Sequence, residues 1–171
     1  MADELATLSA SLLRELLDYD PATGVFTWRV TLSNVRPAGS VAGTIEGNGY
    51  CQIQIARVVH KAHRLAWLYV HGEWPQRDID HKNGNRADNR IANLRPATRS
   101  QNLQNQHHAR SDSRCGLQGV SLHQSGRWRA RIQSADGKRR HLGFFDSPQE
   151  AHAAYLTAKR ELHPFASTGG S

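Results

Sequence analysis

The chain begins with leucines that recur at the spacing of an amphipathic helix. Ser9 and Ser11 are candidate N-terminal caps, so the pattern predicts a helix over residues 9–18. The turn-forming run 20–24 ends that helix, and Val25–Trp28 is predicted to be a strand. The helical apolar positions are Leu8, Leu12, Leu13, Leu16 and Leu17.

Glycine and asparagine at residues 47–49 mark a hairpin further along the chain. They separate residues 41–45 from 50–55, and the second segment alternates apolar residues with glutamines, as a half-buried strand does. Apolar residues at helical spacing then predict a second helix over 61–71, closed by Gly72.

The middle of the chain alternates short β-forming segments with polar turns. A strand ending at Asp80 and His81 is followed by a glycine turn at 83–85 and by a second short strand with Asn93 on or beside it. A capping box at residues 98–101 then begins a helix. A hairpin packed on a helix can bring together side chains that are far apart in sequence.

The C-terminal third has a different pattern. Three strands are predicted, followed by a second capping box with Pro148 at the first helical position. One helix on a three-stranded sheet follows, and the whole chain is predicted to be α+β. The predicted strands are 119–123, 126–132 and 139–144, with turns at 124–126 and 135–137. The apolar face of the helix comprises Ala151, Ala154, Tyr155, Ala158 and Leu162.

Period-two alternation sorts the side chains of this sheet onto two faces. The face predicted to lie against the helix carries Trp128, Ala130, Ile132, Val120, Leu122, Leu142 and Phe144. The opposite face carries Arg127, Arg129, Arg131, Arg139, Ser121, His123 and His141. Like charges side by side destabilise a sheet unless a polyanion lies against them, which favours DNA binding over a merely solvated surface.

Charge supports a nucleic-acid partner. Lys and Arg number 22 against 15 acidic residues, for a net charge of +7 and a pI near 10.0. The basic excess lies in residues 86–110 and 114–140, whereas the first twenty residues are acidic. Folded basic segments of this kind meet nucleic acid more often than membrane.

Composition excludes several other classes. Cys51 and Cys115 are too few and too far apart for a structural zinc site or a disulfide framework. No apolar run reaches membrane-spanning length, and the N-terminus lacks the order of a signal peptide, so we expect the protein to act in the cytoplasm of its host. The length of 171 residues suits one medium domain or two small ones, and we favour two.

The residues around Asp80 have the chemistry of a one-metal phosphodiesterase. A neutral imidazole with a pKa of about 6.5 can deprotonate water at physiological pH, so His81 is the candidate general base. The Asp80 carboxylate and the Asn102 amide oxygen are hard ligands that suit Mg²⁺, with Mn²⁺ as an alternative. Asn93 has donors and acceptors but no useful pKa, which fits a role in pinning the loop that aims His81. An Asp-His pair among Asn-rich turns also occurs in inert proteins, an alternative that the spacing and the basic surroundings oppose.

The remaining histidines are interpreted as structural. His63 heads the second helix, but it has no partner at ligand spacing, so packing or capping is favoured over metal binding. The same interpretation applies to His60, His71, His107, His108, His152 and His163.

Residues 63–105 closely resemble the HNH endonucleases of phage and homing type. The resemblance implies a ββα-metal site in which His81 is the base, Asp80 and Asn102 hold the metal, and Asn93 is the middle Asn of the motif. Many members have His at the last position, and Asn105 is a rival to Asn102 as the ligand here. Products with 5′-phosphate and 3′-hydroxyl ends are implied too. The matching motifs are HRLAW at 63–67, IDH at 79–81, DNRIANLR at 88–95 and SQN at 100–102.

Residues 113–163 resemble the Apetala-type DNA-binding domain of plant ethylene-response factors, which also occurs in HNH nucleases. The resemblance implies that the exposed sheet face enters the major groove of DNA. Ser121 and His123 stand where the plant proteins more often have Arg, so a sequence preference does not carry over. The matching basic positions are Arg127, Arg129, Arg131 and Arg139.

Together these patterns predict a metal-dependent DNA endonuclease of phage or mobile-element origin, active on double-stranded DNA as a monomer or homodimer. The alternative is a DNA-binding regulator with an inactive nuclease domain. RNA binding is disfavoured because the predicted basic face carries no exposed aromatic residue for stacking. The predicted domains are an HNH domain at 1–108 with its core at 63–108, a linker at 109–114, an Apetala-type domain at 115–163 and a flexible tail at 164–171.

Overall fold

A computed structural model of the chain describes residues 8–105, 113–134, 137–163 and 165–166. It combines helices with small antiparallel sheets, which confirms the predicted α+β class. The chain divides into two compact units, residues 1–96 and 97–171. This division lies before the predicted end of the first domain at residue 108, so the helix that follows the capping box belongs to the second unit.

The first helix is shorter than predicted. It is α1 (Ala10–Leu16), capped by Ser9, whose Oγ accepts a hydrogen bond from a backbone N–H. The next residues form β1 (Leu17–Asp20), which pairs antiparallel with β2 (Val25–Trp28). The prediction of one helix over 9–18 is therefore wrong at its C-terminal end, because burying alternate side chains of β1 outweighs continuing the helix.

The predicted central hairpin is part of a three-stranded sheet whose third strand was not predicted. The turn before that strand consists of Ala56 and Arg57, which take positive φ angles of 47° and 69° without the Gly or Asn that usually marks such turns. The predicted second helix follows directly and ends at Gly72, whose φ of 81° is left-handed. These elements are β3 (Thr44–Ile45), β4 (Cys51–Ile55), β5 (Val58–Lys61) and α2 (Ala62–His71).

The last elements of the first unit carry the predicted site residues Asp80, His81 and Asn93. β6 (Asp78–His81) pairs with β7 (Leu94–Ala97), and a single turn of 3-10 helix (Ile91–Asn93) leads into β7. One apolar core connects these strands to the rest of the unit. Its largest fully buried side chains are Phe26, Leu13, Leu17, Ile53, Leu65 and Leu68.

The second unit begins with α3 (Arg99–Gln104), whose capping box between Thr98 and Gln101 forms as predicted. Its sheet has the order β10-β9-β8, and the final helix lies against β9 with Ala151, Tyr155 and Ala158 buried. A side chain at Gly119 would collide with the Tyr155 ring, which fixes the start of the sheet close to the helix. The elements are β8 (Val120–Leu122), β9 (Trp128–Gln133), β10 (Arg139–Phe145) and α4 (Pro148–Leu162).

One predicted side-chain direction in this sheet is wrong. The register between β9 and β10 shifts between His141 and Gly143, so β10 contains a bulge. Phe144 then pairs with Arg129 and lies on the basic face, whereas Phe145 packs in the core. A strictly alternating strand has no extra residue, and this is why alternation alone placed Phe144 against the helix.

Several predicted features lie outside the described residues: His107 and His108, Ala135 and Asp136 in one turn, residues 109–112 of the linker and most of the tail. In the part of the chain that is described, no helix has the length and apolar character needed to cross a membrane.

Candidate functional site

Asp80 and His81 lie at the end of β6 and are both buried, with 7% and 4% of their surface exposed. A buried carboxylate needs a compensating partner. Arg95 on β7 provides it, because its Nε donates to Asp80 Oδ2 at 2.9 Å. Sequence analysis did not single out Arg95, although a basic residue on the second strand of a hairpin is placed to meet an acid on the first.

The imidazole of His81 packs among other rings. The His63 ring from α2 lies edge-on to it with centroids 5.0 Å apart, and the Tyr50 ring lies 5.9 Å away. His63 therefore packs, as the sequence favours, but it packs directly against the predicted base. No local motif signals this contact, because it joins a helix and a strand separated by many residues.

Burial keeps both imidazoles neutral. It lowers the pKa of His63 from 6.5 to about 3, with the adjacent His81 and nearby cations adding to the effect. Burial also lowers the pKa of His81, opposed by a contact with Asn89 and by the carboxylates of Asp80 and Asp88. His81 is thus uncharged at physiological pH and has two carboxylates near it to stabilise a proton once gained.

Asn89 orients the His81 ring. Its Oδ1 lies 3.5 Å from His81 Nε2, while its Nδ2 donates to the Ala87 carbonyl at 3.1 Å. An amide oxygen only accepts hydrogen bonds, so this contact favours a proton on Nε2 and places the lone pair of the neutral ring on Nδ1. Asn89 is a site residue that sequence analysis missed.

Asn93 ties the loop between β6 and β7 together from its inner side. Its Oδ1 accepts from the Asn83 backbone N–H at 3.1 Å, and its Nδ2 donates to the Asp88 carbonyl at 2.8 Å. Its own carbonyl accepts from the Lys82 backbone N–H at 2.8 Å. These three bonds span the loop, and Asn93 is only 8% exposed.

Further side chains fix the same loop from outside. Asn83 Nδ2 donates to Asp88 Oδ2 at 2.7 Å, and Arg90 makes a two-pronged contact with the same carboxylate at 2.6 and 2.8 Å. The hydrogen bond from Arg90 lowers the pKa of Asp88. Its effect on that pKa is larger than the effect of burial, which acts in the opposite direction. The loop is therefore closed by charge-assisted bonds.

The β1–β2 hairpin also supports this loop, although it lies far from it in sequence. Tyr19 donates its hydroxyl proton to the Asn89 carbonyl at 2.7 Å. Gly24, at a φ of 77°, approaches so closely that an added Cβ would meet the backbone of Asn89 and Arg90. The hairpin thus holds the segment that orients His81.

Cations line the site beside Tyr50. The Arg86 guanidinium lies 4.9 Å from the centre of the Tyr50 ring, and Lys61 Nζ lies 5.1 Å from it. Arg86 also donates to the Asn48 carbonyl at 3.0 Å. Two positive charges therefore lie beside the ring that packs against His81, which suits an anionic substrate.

The remaining predicted ligands lie on α3, in the second unit. Asn102 is half-buried, and its backbone N–H donates to the Thr98 carbonyl at 2.9 Å, one turn into the helix. Asn105 is the C-terminal cap of the same helix and is buried. Among the described residues there is no group of three His, Cys, Asp or Glu side chains able to hold a metal. The metal ligands predicted from the sequence are one carboxylate, of Asp80, and one amide oxygen, of Asn102 or of Asn105.

The basic sheet face of the second unit carries the other predicted residues. Ser121 pairs with Arg129, and Arg131 pairs with His141, on the side of the sheet away from α4. Burial and then its like-charged neighbours lower the pKa of Arg131. In the described part of the chain, Arg129 Nε and Ser121 Oγ are buried without a hydrogen-bond partner.

Two other predicted arginines differ in their surroundings. Arg127 donates to Asp146 at 3.1 Å, so an exposed acid partly neutralises it. Arg139 is exposed and pairs with Gln133 at the far end of the face. Four of the predicted residues, Ser121, His123, Arg131 and Arg139, also line a cavity of about 890 Å³.

The segment that contains the buried site matches a known family. Residues 60–104 match the family model described as HNH endonuclease, and this segment contains His63, Asp80, His81, Asn93 and Asn102. A solved structure titled "DNA binding and cleavage by the HNH homing endonuclease I-HmuI" is similar at 24% identity. The similarity covers 79% of this chain and 74% of that chain, with a TM-score of 0.41. No match was found among curated proteins.

Proposed function

We propose that the protein is a metal-dependent DNA endonuclease that hydrolyses phosphodiester bonds to 5′-phosphate and 3′-hydroxyl ends. The observation that carries the proposal is a buried, neutral His81 adjoining the buried carboxylate of Asp80, inside the segment that matches the HNH endonuclease family. A neutral imidazole with flanking carboxylates is the arrangement that a general base requires.

The residues present fit a hard divalent cation. Asp80 supplies a carboxylate, whose Oδ2 is held by the Arg95 guanidinium, and amide oxygens are neutral hard donors. In the proposal Asp80 and Asn102 hold Mg²⁺ or Mn²⁺, with Asn105 as the alternative to Asn102. The metal, when bound, would stabilise negative charge on the phosphate and on the departing 3′ oxygen.

His81 performs the proton transfer in this scheme. Its Nδ1 lone pair accepts a proton from the attacking water, and the resulting imidazolium is stabilised by Asp80 and Asp88. Asn89 holds the ring through Nε2, and Asn93 keeps the loop that carries Asn89 in place. Arg86 and Lys61 beside Tyr50 would attract the DNA backbone to the site.

The second unit is proposed to bind duplex DNA through its basic sheet face, as in Apetala-type domains. Support comes from Arg129 and Arg131 side by side and from the polar atoms of Ser121 and Arg129 that have no partner in the described residues. Arg127, Arg139, His123 and His141 complete the surface. Oxygen acceptors of the DNA would satisfy these donors, and its phosphates would relieve the repulsion between like charges.

A plasmid assay tests the proposal. Supercoiled DNA is incubated with the protein and Mg²⁺, Mn²⁺ or EDTA, and nicked and linear products are separated and their ends tested for ligation. Metal-dependent cleavage by the wild type, lost in His81→Ala and Asp80→Ala, is the expected result. Duplex binding without cleavage in any metal would instead favour the regulator with an inactive nuclease domain. Comparing Asn102→Ala with Asn105→Ala, by cleavage and by Mn²⁺ binding, decides between the two amide ligands.

A further inference from the structure

Phe144 is the one large apolar side chain that the bulge in β10 turns onto the basic face. Without the extra residue between His141 and Gly143, Phe144 would alternate into the core, where Phe145 now lies. It is 37% exposed and stands directly opposite Arg129. Exposing a ring in the middle of a charged surface gives up burial that the fold could otherwise use.

Two imidazoles hold the Phe144 ring in place. The His123 ring from the end of β8 lies 4.8 Å from it, and the His141 ring lies 4.7 Å away on its own strand, both tilted by 56°. The ring is therefore supported on two sides and does not project freely. A supported ring offers an apolar surface at a fixed place, in contrast to a wedge that inserts between stacked bases.

Hydrogen-bonding groups without partners lie next to this ring. Arg129 faces Phe144 on one side and Ser121 on the other, and in the described residues its Nε and the Ser121 Oγ have no partner. A ligand for this patch must offer acceptors for Arg129 beside an apolar group for Phe144. In the major groove of duplex DNA the apolar group on a base edge is the 5-methyl of thymine, and acceptors lie beside it on the same and neighbouring pairs.

We infer that Phe144 is a specificity-determining residue of the DNA-binding face and contacts the 5-methyl group of a thymine in the bound duplex. The inference rests on the proposed DNA binding by this sheet. It adds a base-reading contact to a surface that otherwise contains charges and hydrogen-bond donors. It also changes one prediction from the sequence, since the basic face does carry an exposed aromatic residue.

The test uses the full chain and the thymine methyl as the only variable. Duplexes that the wild type retains from a randomised 30-base-pair library, without metal, are synthesised again with deoxyuridine replacing thymidine one position at a time. Uracil lacks only the methyl group. At one position or two adjacent ones, we expect the wild type to bind the uracil duplex about fourfold more weakly for each methyl lost, the value of one buried carbon.

Variants at and near Phe144 make the result specific. Phe144→Ala should bind thymine and uracil duplexes equally, and Phe144→Leu should keep part of the preference. Arg139→Ala, on the same face but away from the ring, should weaken both duplexes equally and leave the ratio unchanged. Far-ultraviolet circular dichroism of each variant confirms that it is folded.

The possible failures are distinct. If the wild type retains no DNA from the library, DNA binding by this sheet is wrong, and the inference is wrong with it. If it binds selected duplexes but shows no methyl preference, or if Phe144→Ala keeps the preference, the inference is overturned while the proposed endonuclease stands.

Discussion

The site around His81 and the basic sheet face of the second unit are built in opposite ways. The polar groups around His81 are buried and bonded to one another, as in the pair of Asp80 with Arg95 and the three hydrogen bonds of Asn93. The sheet face carries neighbouring arginines, and in the described residues some of its donors have no partner. This difference fits the proposed functions, since a reacting centre is fixed before the substrate arrives, whereas a DNA-binding surface completes its hydrogen bonds with the ligand.

Removing the base should have the largest effect. We expect His81→Ala to lower kcat for plasmid cleavage by about 10²- to 10⁴-fold, because proton transfer in the transition state is lost. The dissociation constant for duplex DNA without metal should stay unchanged, since the proposal assigns duplex binding to the sheet face. A parallel loss of binding would show that the two regions are not separable in the way proposed.

Disturbing the contact of Gly24 with the loop between β6 and β7 should have the next largest effect. In Gly24→Ala the added Cβ meets the backbone of Asn89 and Arg90, so the segment that orients His81 must shift. A displacement of about 1 Å at a reacting group lowers the rate by about 10²-fold. Single-turnover cleavage below the unfolding temperature measures this.

The chain offers a matched control for that variant. Gly39 has a similar positive φ of 83°, but an added Cβ there has no neighbour within 4 Å in the described structure. Gly39→Ala therefore carries the same backbone strain without the collision. Equal activity of the two alanine variants would mean that the contact of Gly24 with the loop does not position the site.

Acid should destabilise the first unit through its buried histidines. The pKa of His63 is about 3 in the folded chain and 6.5 ordinarily, so the unfolded chain binds the proton more readily between these values. Its contribution to stability is present above pH 6.5 and is lost as the pH falls towards 3. By linkage, about 2 kcal/mol of unfolding free energy should be lost between pH 7.5 and pH 5.

Urea unfolding followed by tryptophan fluorescence checks this value. A Trp128→Phe background confines the signal to Trp28, Trp67 and Trp74 of the first unit. His63→Phe should remove most of the pH dependence, and His71→Gln, at an exposed position, should leave it unchanged. An unchanged pH dependence in His63→Phe would assign the effect to other groups.

Loss of one arginine from the sheet face should have the smallest effect. Arg129→Ala should weaken duplex binding and reduce the salt slope by up to about 0.9, because the sheet face then places one cation fewer against the DNA. Cleavage at saturating DNA should be unchanged. Arg140→Ala is the control with the same change in net charge, because Arg140 pairs with Ile132 on the other face. Equal salt slopes for the two variants would argue against DNA binding by this face.

Local patterns predicted most of the fold. Both capping boxes, at Thr98 and Ser147, begin helices where the sequence places them, because the cap is formed by residues three apart. The end of α1 was predicted wrongly, since Leu17 fits a helix and a strand equally well in sequence. β5 was missed because Ala56 and Arg57 give no turn signal.

The sequence by itself determined which residues are the candidates for chemistry: the Asp80-His81 step, the asparagines that follow it and the alternating arginines of the second unit. Only the tertiary structure brought Arg95, Asn89 and His63 to that step. The segments that carry them are held by contacts between distant parts of the chain, such as the hydrogen bond from Tyr19 to Asn89, 70 positions apart. Only the structure placed Phe144 on the basic face. Gly143 inside an apolar run is only a weak sequence signal for a bulge. One extra residue in a strand reverses the direction of every later side chain, and the pairing with β9 decides whether the strand contains that residue.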